Sequence, residues 1–258
     1  MLPFRYFGEP TSNLSAGWVN AVLRWDSLNY CDLSPLVVSF EGFSGVLPDE
    51  DLAIRGILDS ALQDQGQKPI ETTANTIFPA SMWDPKQPRK LLFRRYFNIY
   101  PKVKKVNHFG TYFHRLINYP EDADEDNAEN QLDFIIDHWS KPRGHRRSAL
   151  QAVLYDPRKD MVDTPQRGFP CLQSLTFVPA RNSLSLNAFY PTQCLFERAF
   201  GNYLGLCRLG AFVAHELGLK FSRLTCFVGT TVRGDMRKSA LRALVTQIQE
   251  RNSRSSVP

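Results

Sequence analysis

FPCLQSLTFVPARNSLSLNAFYPTQCLFERAFGNYLGLCRLGAFVAHELG, residues 169–218, carries the succession of elements on which the fold turns. Pro170-Cys171 opens a stretch, Leu172–Val178, in which Leu175 and Phe177 alternate with Ser174 and Thr176. A period of two marks a strand with one face buried. A turn at Ala180–Ser183 leads into a second strand, Leu184–Phe189, and Tyr190-Pro191-Thr192-Gln193 reads as a polar corner. A helix begins near Asn202, and its stretch Leu204–Leu217 is apolar nearly all round. Such a helix has no solvent face and belongs inside the protein. Paired strands leading into a buried helix predict an α+β class, with a large mixed sheet packed on helices.

The same reading extends outward. Upstream, Ser148–Tyr155 alternates through Leu150, Ala152 and Leu154 and reads as a strand closed by Asp156-Pro157. A basic turn, Pro142-Arg143-Gly144-His145-Arg146-Arg147, enters it. Leu132–Trp139 is an amphipathic helix, and Glu121–Glu129 is an acidic solvated loop. Leu91–Tyr100, aromatic and basic, admits a strand or a short helix, whereas residues 67–90, rich in Pro, Thr and Ser, predict a long loop around Trp83. Pro48-Asp49-Glu50-Asp51 starts a helix that runs to about Gln65 and stops at Gly66. Leu36–Phe40 is a β-branched strand, and residues 1–20, punctuated by Gly8, Pro10 and Gly17, read as irregular. Downstream, Leu224–Val228 is a strand, Asp235–Arg251 a basic amphipathic helix, and 252–258 a frayed tail. No internal repeat or linker divides the chain, so residues 1–258 are expected to form one domain.

Composition narrows the function classes. With 43% hydrophobic residues among 258, the chain has material for a sizeable core and is not a disordered one. Five cysteines at irregular spacing, with no CxxC pair, argue against a zinc knuckle, a metal site or a dithiol redox motif. They fit a reduced, cytoplasmic setting. The first residues form no signal-peptide apolar region, and no apolar run reaches membrane-spanning length. The net charge of +5 is modest and suits an anionic ligand such as a phosphate. Nucleic-acid binding through Arg237, Lys238, Arg242 and Arg251 is the weaker alternative to a solvated helix face.

Three features carry chemistry. Cys171 stands at a strand start near several arginines, and cations lower a thiol pKa and expose the nucleophilic thiolate; otherwise it is an inert cysteine buried in the sheet. Arg146 and Arg147 lead into a strand, where adjacent side chains point to opposite faces, and guanidinium forks suit phosphate oxygens; otherwise they belong to an ordinary basic turn. Asn202, near the start of a buried helix, offers both donor and acceptor to the edge of a pyrimidine; otherwise it is a helix cap.

In order, RRSALQAVLYDP, the Pro-Cys pair, LSLNAFYPTQ, an Asn and a buried helix ending in AHELGL make the chain resemble thymidylate synthase and the pyrimidine nucleotide hydroxymethylases. The spacing from Pro170 to Asn202 matches the family pattern without a gap, and the likeness is strongest over Asp133–Gly218. The resemblance implies the family's three-layer fold and a homodimer. It implies that Cys171 adds to carbon 6 of a pyrimidine nucleotide, so that carbon 5 accepts a methyl or hydroxymethyl group. Arg146 and Arg147 would grip the phosphate bound by the neighbouring subunit, and Asn202 would select uracil over cytosine. Asp59, on the helix Leu52–Gln65, would stand near the family's catalytic Glu, and Tyr112 of GTYFHR would be its active-site Tyr. Methylenetetrahydrofolate would be the one-carbon donor.

The chain also departs from the pattern. Leu172 replaces the His after Pro-Cys, Pro191 replaces a phosphate-binding Arg, and Cys194 replaces an Asp that serves the folate. The His-x-Tyr that holds the sugar is absent around Gly234-Asp235. The family's C-terminal strands and folate-covering tail have no counterpart after the last helix, so no lid is expected. Two functions follow: a divergent enzyme using Cys171, or a catalytically inactive nucleotide-binding or protein-interaction module on the same scaffold.

Overall fold

The computed structural model describes residues 4–120, 128–141, 146–161, 163 and 171–255, with residues 252–255 described through their backbone alone. Among these, six strands form one mixed sheet: β1 (Phe4–Phe7), β2 (Leu33–Glu41), β3 (Gln151–Val153), β4 (Ser174–Ala180), β5 (Ser183–Cys194) and β6 (Lys220–Val232), in the order β1-β2-β6-β5-β4-β3. The helices are α1 (Leu14–Ser27), α2 (Leu52–Asp64), α3 (Ile70–Ile77), α4 (Arg89–Val106), α5 (Tyr112–Ile117), α6 (Gln131–Ser140), α7 (Pro157–Asp160), α8 (Phe200–Glu216) and α9 (Lys238–Ser255). The architecture is α+β, as the sequence predicts.

β4 and β5 form an antiparallel hairpin with Phe177 opposite Leu186, whereas β5 and β6 run parallel from Ser183–Lys220 to Cys194–Val232. Parallel neighbours need a crossover connection, and α8 provides it. Leu184, Leu186, Ala188 and Tyr190 of β5 and Leu224, Cys226 and Val228 of β6 turn their alternate side chains into the core. The opposite face bears Phe189 and Phe227, with ring centroids 5.7 Å apart and both partly exposed.

The sheet, α8 and α3 stack as three layers, α8 packing on β5 and β6 with one side and on α3 with the other. The α3 crossing is close because α8 carries Gly201 and Gly205 one turn apart. A Cβ on Gly201 would lie 2.7 Å from that of Thr73, and one on Gly205 would lie 2.7 Å from the Ala74 carbonyl oxygen. No side chain larger than hydrogen fits this approach.

Several sequence expectations give way. Residues 1–20 hold β1 and part of α1, which Asn13 caps by accepting from the Ala16 N–H at 3.0 Å and which Trp18 and Trp25 anchor in the core. The loop expected over 67–90 contains α3 and a 3-10 turn, Ala80–Met82. Thr72, Thr73, Asn75 and Thr76 are weak helix formers, but burial against α8 stabilises the helix, and the Asp59 carboxylate accepts from the Ile70 N–H at 2.8 Å. Leu91–Tyr100 lies within the 18-residue helix α4, whose Leu92, Phe93, Tyr96 and Tyr100 form one buried face. The polar corner at 190–193 is strand instead, because β5 stays paired with β6 out to Val232. β3 is three residues long, shorter than Ser148–Tyr155, since a 3-10 turn at Arg147–Ala149 precedes it. Residues 121–127 of the acidic loop, 142–145 of the basic turn, Pro170 and the tail 256–258 lie outside the described residues. Among the described residues no helix is long and apolar enough to cross a membrane.

Candidate active site

A cavity of about 500 Å³ opens where the end of β5, the first turn of α8, α3 and the α4–α5 connection meet. That volume suits one small-molecule ligand. Cys171 reaches it from the turn before β4. The next residues are pinned: the Leu154 N–H donates to the Gln173 carbonyl at 2.9 Å, and the Gln173 N–H donates to the Phe189 carbonyl at 3.0 Å. Burial pushes the Cys171 thiol up from its ordinary value, and the Arg198 guanidinium opposes that rise. Cys194, at the end of β5, is a second thiol on the same wall; burial first, then Glu197 and Cys171, push it up to about 12.

Tyr112 is the first residue of α5. Thr111 caps that helix by accepting from the His114 N–H at 3.2 Å. Burial and then the nearby Cys171 raise the Tyr112 phenol far above its usual range. It therefore stays protonated at neutral pH. Asn202 is 3% exposed and lines the cavity, and its amide has no protein partner among the described residues. It sits within α8, after a π-helical turn at Leu195–Ala199, and is not the helix cap. The following residue, Tyr203, donates its hydroxyl to Gln193 Oε1 at 2.9 Å, which ties the end of β5 to α8.

The cavity thus brings Cys171, Tyr112 and Asn202 together and leaves the other three candidates outside. Asp59 is engaged at the N-terminus of α3, and the side chains that face the cavity in that region are Thr73 and Thr76 of α3. Arg146 and Arg147 are exposed ahead of β3, with Arg146 Nε donating to Ser148 Oγ at 2.9 Å; neither lines the cavity.

Sequence reasoning passed over four lining residues: Lys68, Gln193, Arg198 and Arg115. Arg115 is spent on structure, its Nη1 donating to Asp160 Oδ2 at 2.6 Å and to the Leu154 carbonyl at 2.7 Å. Arg198 and Lys68 contact no carboxylate among the described residues. Arg198 had one signal in the sequence: it belongs to the charged pair Glu197-Arg198 inside an apolar run that leads into a buried helix. No Asp or Glu is found among the described lining residues, and no three His, Cys, Asp or Glu side chains cluster as metal ligands there. For methylenetetrahydrofolate the fit is incomplete. The cations suit its anionic tail, but no described carboxylate is available to accept from the N–H edge of its ring.

No family model matches the chain. A curated protein of Methanocaldococcus jannaschii, named "Putative thymidylate synthase", is 30% identical to it over 116 residues, 44% of this chain and 50% of the relative. The chain spans about half the length of that relative. With the α+β architecture, this establishes a distant thymidylate-synthase-like relationship and nothing finer.

Proposed function

We propose that the chain acts at carbon 5 of a uracil-type pyrimidine nucleotide through covalent addition of Cys171, with transfer of a methyl or hydroxymethyl group. The carrying observation is that Cys171 shares one cavity with the unpartnered amide of Asn202 and with cations that no described carboxylate neutralises. The Cys171 thiolate forms a bond from sulfur to carbon 6, and the electron pair of the 5,6 double bond moves through carbon 5 toward the carbonyl oxygen at carbon 4. An Asn202 N–H donates to that oxygen while its Oδ1 accepts from the ring N–H. Carbon 5 then bonds to a one-carbon electrophile brought by a separate donor, or to a proton from solvent. Its original hydrogen leaves as a proton to solvent, and that bonding pair re-forms the 5,6 double bond as the sulfur departs with the electrons of its bond to carbon 6. Tyr112 stays protonated beside the sulfur and is a hydrogen-bond donor to the ligand. The reading takes no step through methylenetetrahydrofolate. In a homodimer, Arg146 and Arg147 of the partner subunit add to the phosphate site; the exposed Phe189–Phe227 pair on the uncovered sheet face supports such an assembly.

A second reading, a nucleotide-binding or protein-interaction module without turnover, is favoured by the raised Cys171 thiol and the missing carboxylate. Release of tritium from carbon 5 of a tritiated uracil nucleotide separates the two. The enzyme reading expects release by the natural protein and none above background with Cys171→Ser. Nucleotide binding without release, unchanged in that variant, selects the second reading. Failure of any pyrimidine nucleotide to bind removes both nucleotide readings.

A further inference from the structure

Among the described residues the half-buried Arg55, Arg89, Arg208 and Arg251 pair with acids, whereas Arg233 and, at the cavity, Arg198 do not. Arg55 pairs with Glu50 and Glu71 at 3.0 and 2.9 Å, Arg89 with Asp133 at 2.6 Å, and Arg208 with Glu71 at 2.6 Å. Arg198, on the π-helical turn before α8, has a single hydrogen bond, from Nη1 to Thr73 Oγ1 at 3.3 Å, and no carboxylate among the described residues. The acids beside Arg198 and beside its partner Thr73 are committed elsewhere. Glu71, two residues from Thr73, is taken by Arg55 and Arg208, and Glu197 accepts from the backbone N–H groups of Asp235 and Met236 at 2.5 and 2.9 Å.

Lys68, just before α3, lines the same cavity. Its ammonium donates to two neutral acceptors, the Val106 carbonyl at 3.2 Å and Asn107 Oδ1 at 3.1 Å. Partial burial and then the like charge of Arg198 lower its hold on its proton. Two cations therefore converge on one cavity and repel each other across it. Lys68 is exposed and Arg198 half-buried, and an anion arriving at the cavity they both line offsets their repulsion.

We propose that Lys68 and Arg198 form an anion clamp within a single subunit that takes the phosphoryl group of the ligand. The guanidinium fork matches two oxygens of a tetrahedral dianion, and the ammonium acts on it as a point charge. The clamp deepens the nucleotide reading above, resting on it for the identity of the base and on geometry alone for the anion.

The test measures affinities of the full chain for three probes: a uracil nucleoside 5′-monophosphate, its nucleoside, and inorganic pyrophosphate. Hydrogen bonds to charged groups predict that Arg198→Met weakens the monophosphate by about 10- to 150-fold and leaves the nucleoside unchanged. Arg198→Lys should recover part of the loss, and Lys68→Met should weaken the same two anionic probes. Unchanged melting temperatures of the variants exclude a folding effect. Equal losses for nucleoside and monophosphate, or an unweakened Arg198→Met, overturn the clamp. If the natural protein binds pyrophosphate through Arg198 but no uracil compound, the base assignment falls and the clamp stands. If it binds none of the three, the clamp falls as well.

Discussion

Replacing Gly205 by Ala tests the layer order from which the site is built. The added Cβ would meet the Ala74 carbonyl oxygen at 2.7 Å, the Ile77 Cβ at 2.9 Å and the Ala74 Cα at 3.1 Å. Two of these three atoms are backbone and cannot swing aside. Ordinary contact begins at 3.4 Å, so α3 and α8 must separate by up to about 0.7 Å. Overpacking of this kind costs about 1–3 kcal/mol. Alanine returns about 1 kcal/mol through its helix propensity, leaving a net loss of up to about 2 kcal/mol. Gly56 is the control: it lies in α2 with nothing within 4 Å of its ideal Cβ. Gly56→Ala should keep the propensity gain alone, about 1 kcal/mol. At 2–4 °C per kcal/mol for a chain of about this size, the two variants should melt about 2–12 °C apart. Thermal and urea unfolding, run in parallel, give the comparison. If Gly205→Ala gains as much stability as Gly56→Ala, the α3–α8 contact is not the tight crossing described, and the position of Thr73 beside Arg198 loses its support.

Three further outcomes follow from the site and its surroundings. Because burial raises the Cys171 thiol, its alkylation rate, followed on the Cys171 peptide by mass spectrometry, should keep rising past pH 9.0, the ordinary value; Arg198→Met should move the curve higher still, and a plateau below pH 9.0 would contradict the burial. The Arg208 guanidinium, helped by Arg55, holds Glu71 below the usual carboxylate range. A depressed carboxylate stabilises the fold above its unfolded value, here 4.5, and the contribution is lost as the pH falls through the folded value. Glu71→Gln should therefore be less stable than the natural protein at pH 7 and converge with it in acid, and a pH-independent gap would count against the pairing. Glu197→Ala removes the acceptor of the buried Met236 N–H and should cost about 1–3 kcal/mol, with faster amide exchange at Asp235 and Met236; unchanged exchange there would show that the carboxylate does not hold the turn.

The legible parts of this fold are those whose stability is written in their own residues. β4 and β5 alternate with a period of two because one sheet face is buried, and α8 is apolar all round because it has a layer on each side. α3 was invisible for the opposite reason. Its Thr- and Asn-rich sequence has weak helical preference, and what makes it a helix is the groove left by Gly201 and Gly205, about 130 residues away in the chain. Asp59, set near the family's catalytic Glu by resemblance alone, sits on α2, which turns it toward the first N–H of α3. Arg198 is marked in the sequence only as part of a charged pair in an apolar run; that it faces the cavity depends on a π-helical turn, which no local residue preference marks. Cys171, Tyr112 and Asn202, by contrast, are brought to one cavity by elements whose order the sequence does carry.

The charge around this cavity follows from where the acids go. Asp59 accepts from the Ile70 N–H, Glu71 ties α3 to Arg55 and Arg208, Asp160 engages Arg115, and Glu197 closes the turn before α9. Each of these carboxylates joins two elements that form the cavity wall or support it, and none of them lines it. The ion pairs and backbone hydrogen bonds that engage these acids thus keep negative charge off its surface and leave Lys68 and Arg198 without a carboxylate partner among the described residues. An anionic ligand completes that charge balance only in the folded state, so it should raise the stability of the fold in proportion to the logarithm of its concentration above Kd. Lys68→Met or Arg198→Met should leave the ligand-free protein as stable as before, because removing one of two mutually repelling cations offsets the lost side-chain contacts, and should abolish most of the ligand-induced rise. A variant that lowers ligand-free stability sharply while preserving that rise would assign the two cations to the scaffold.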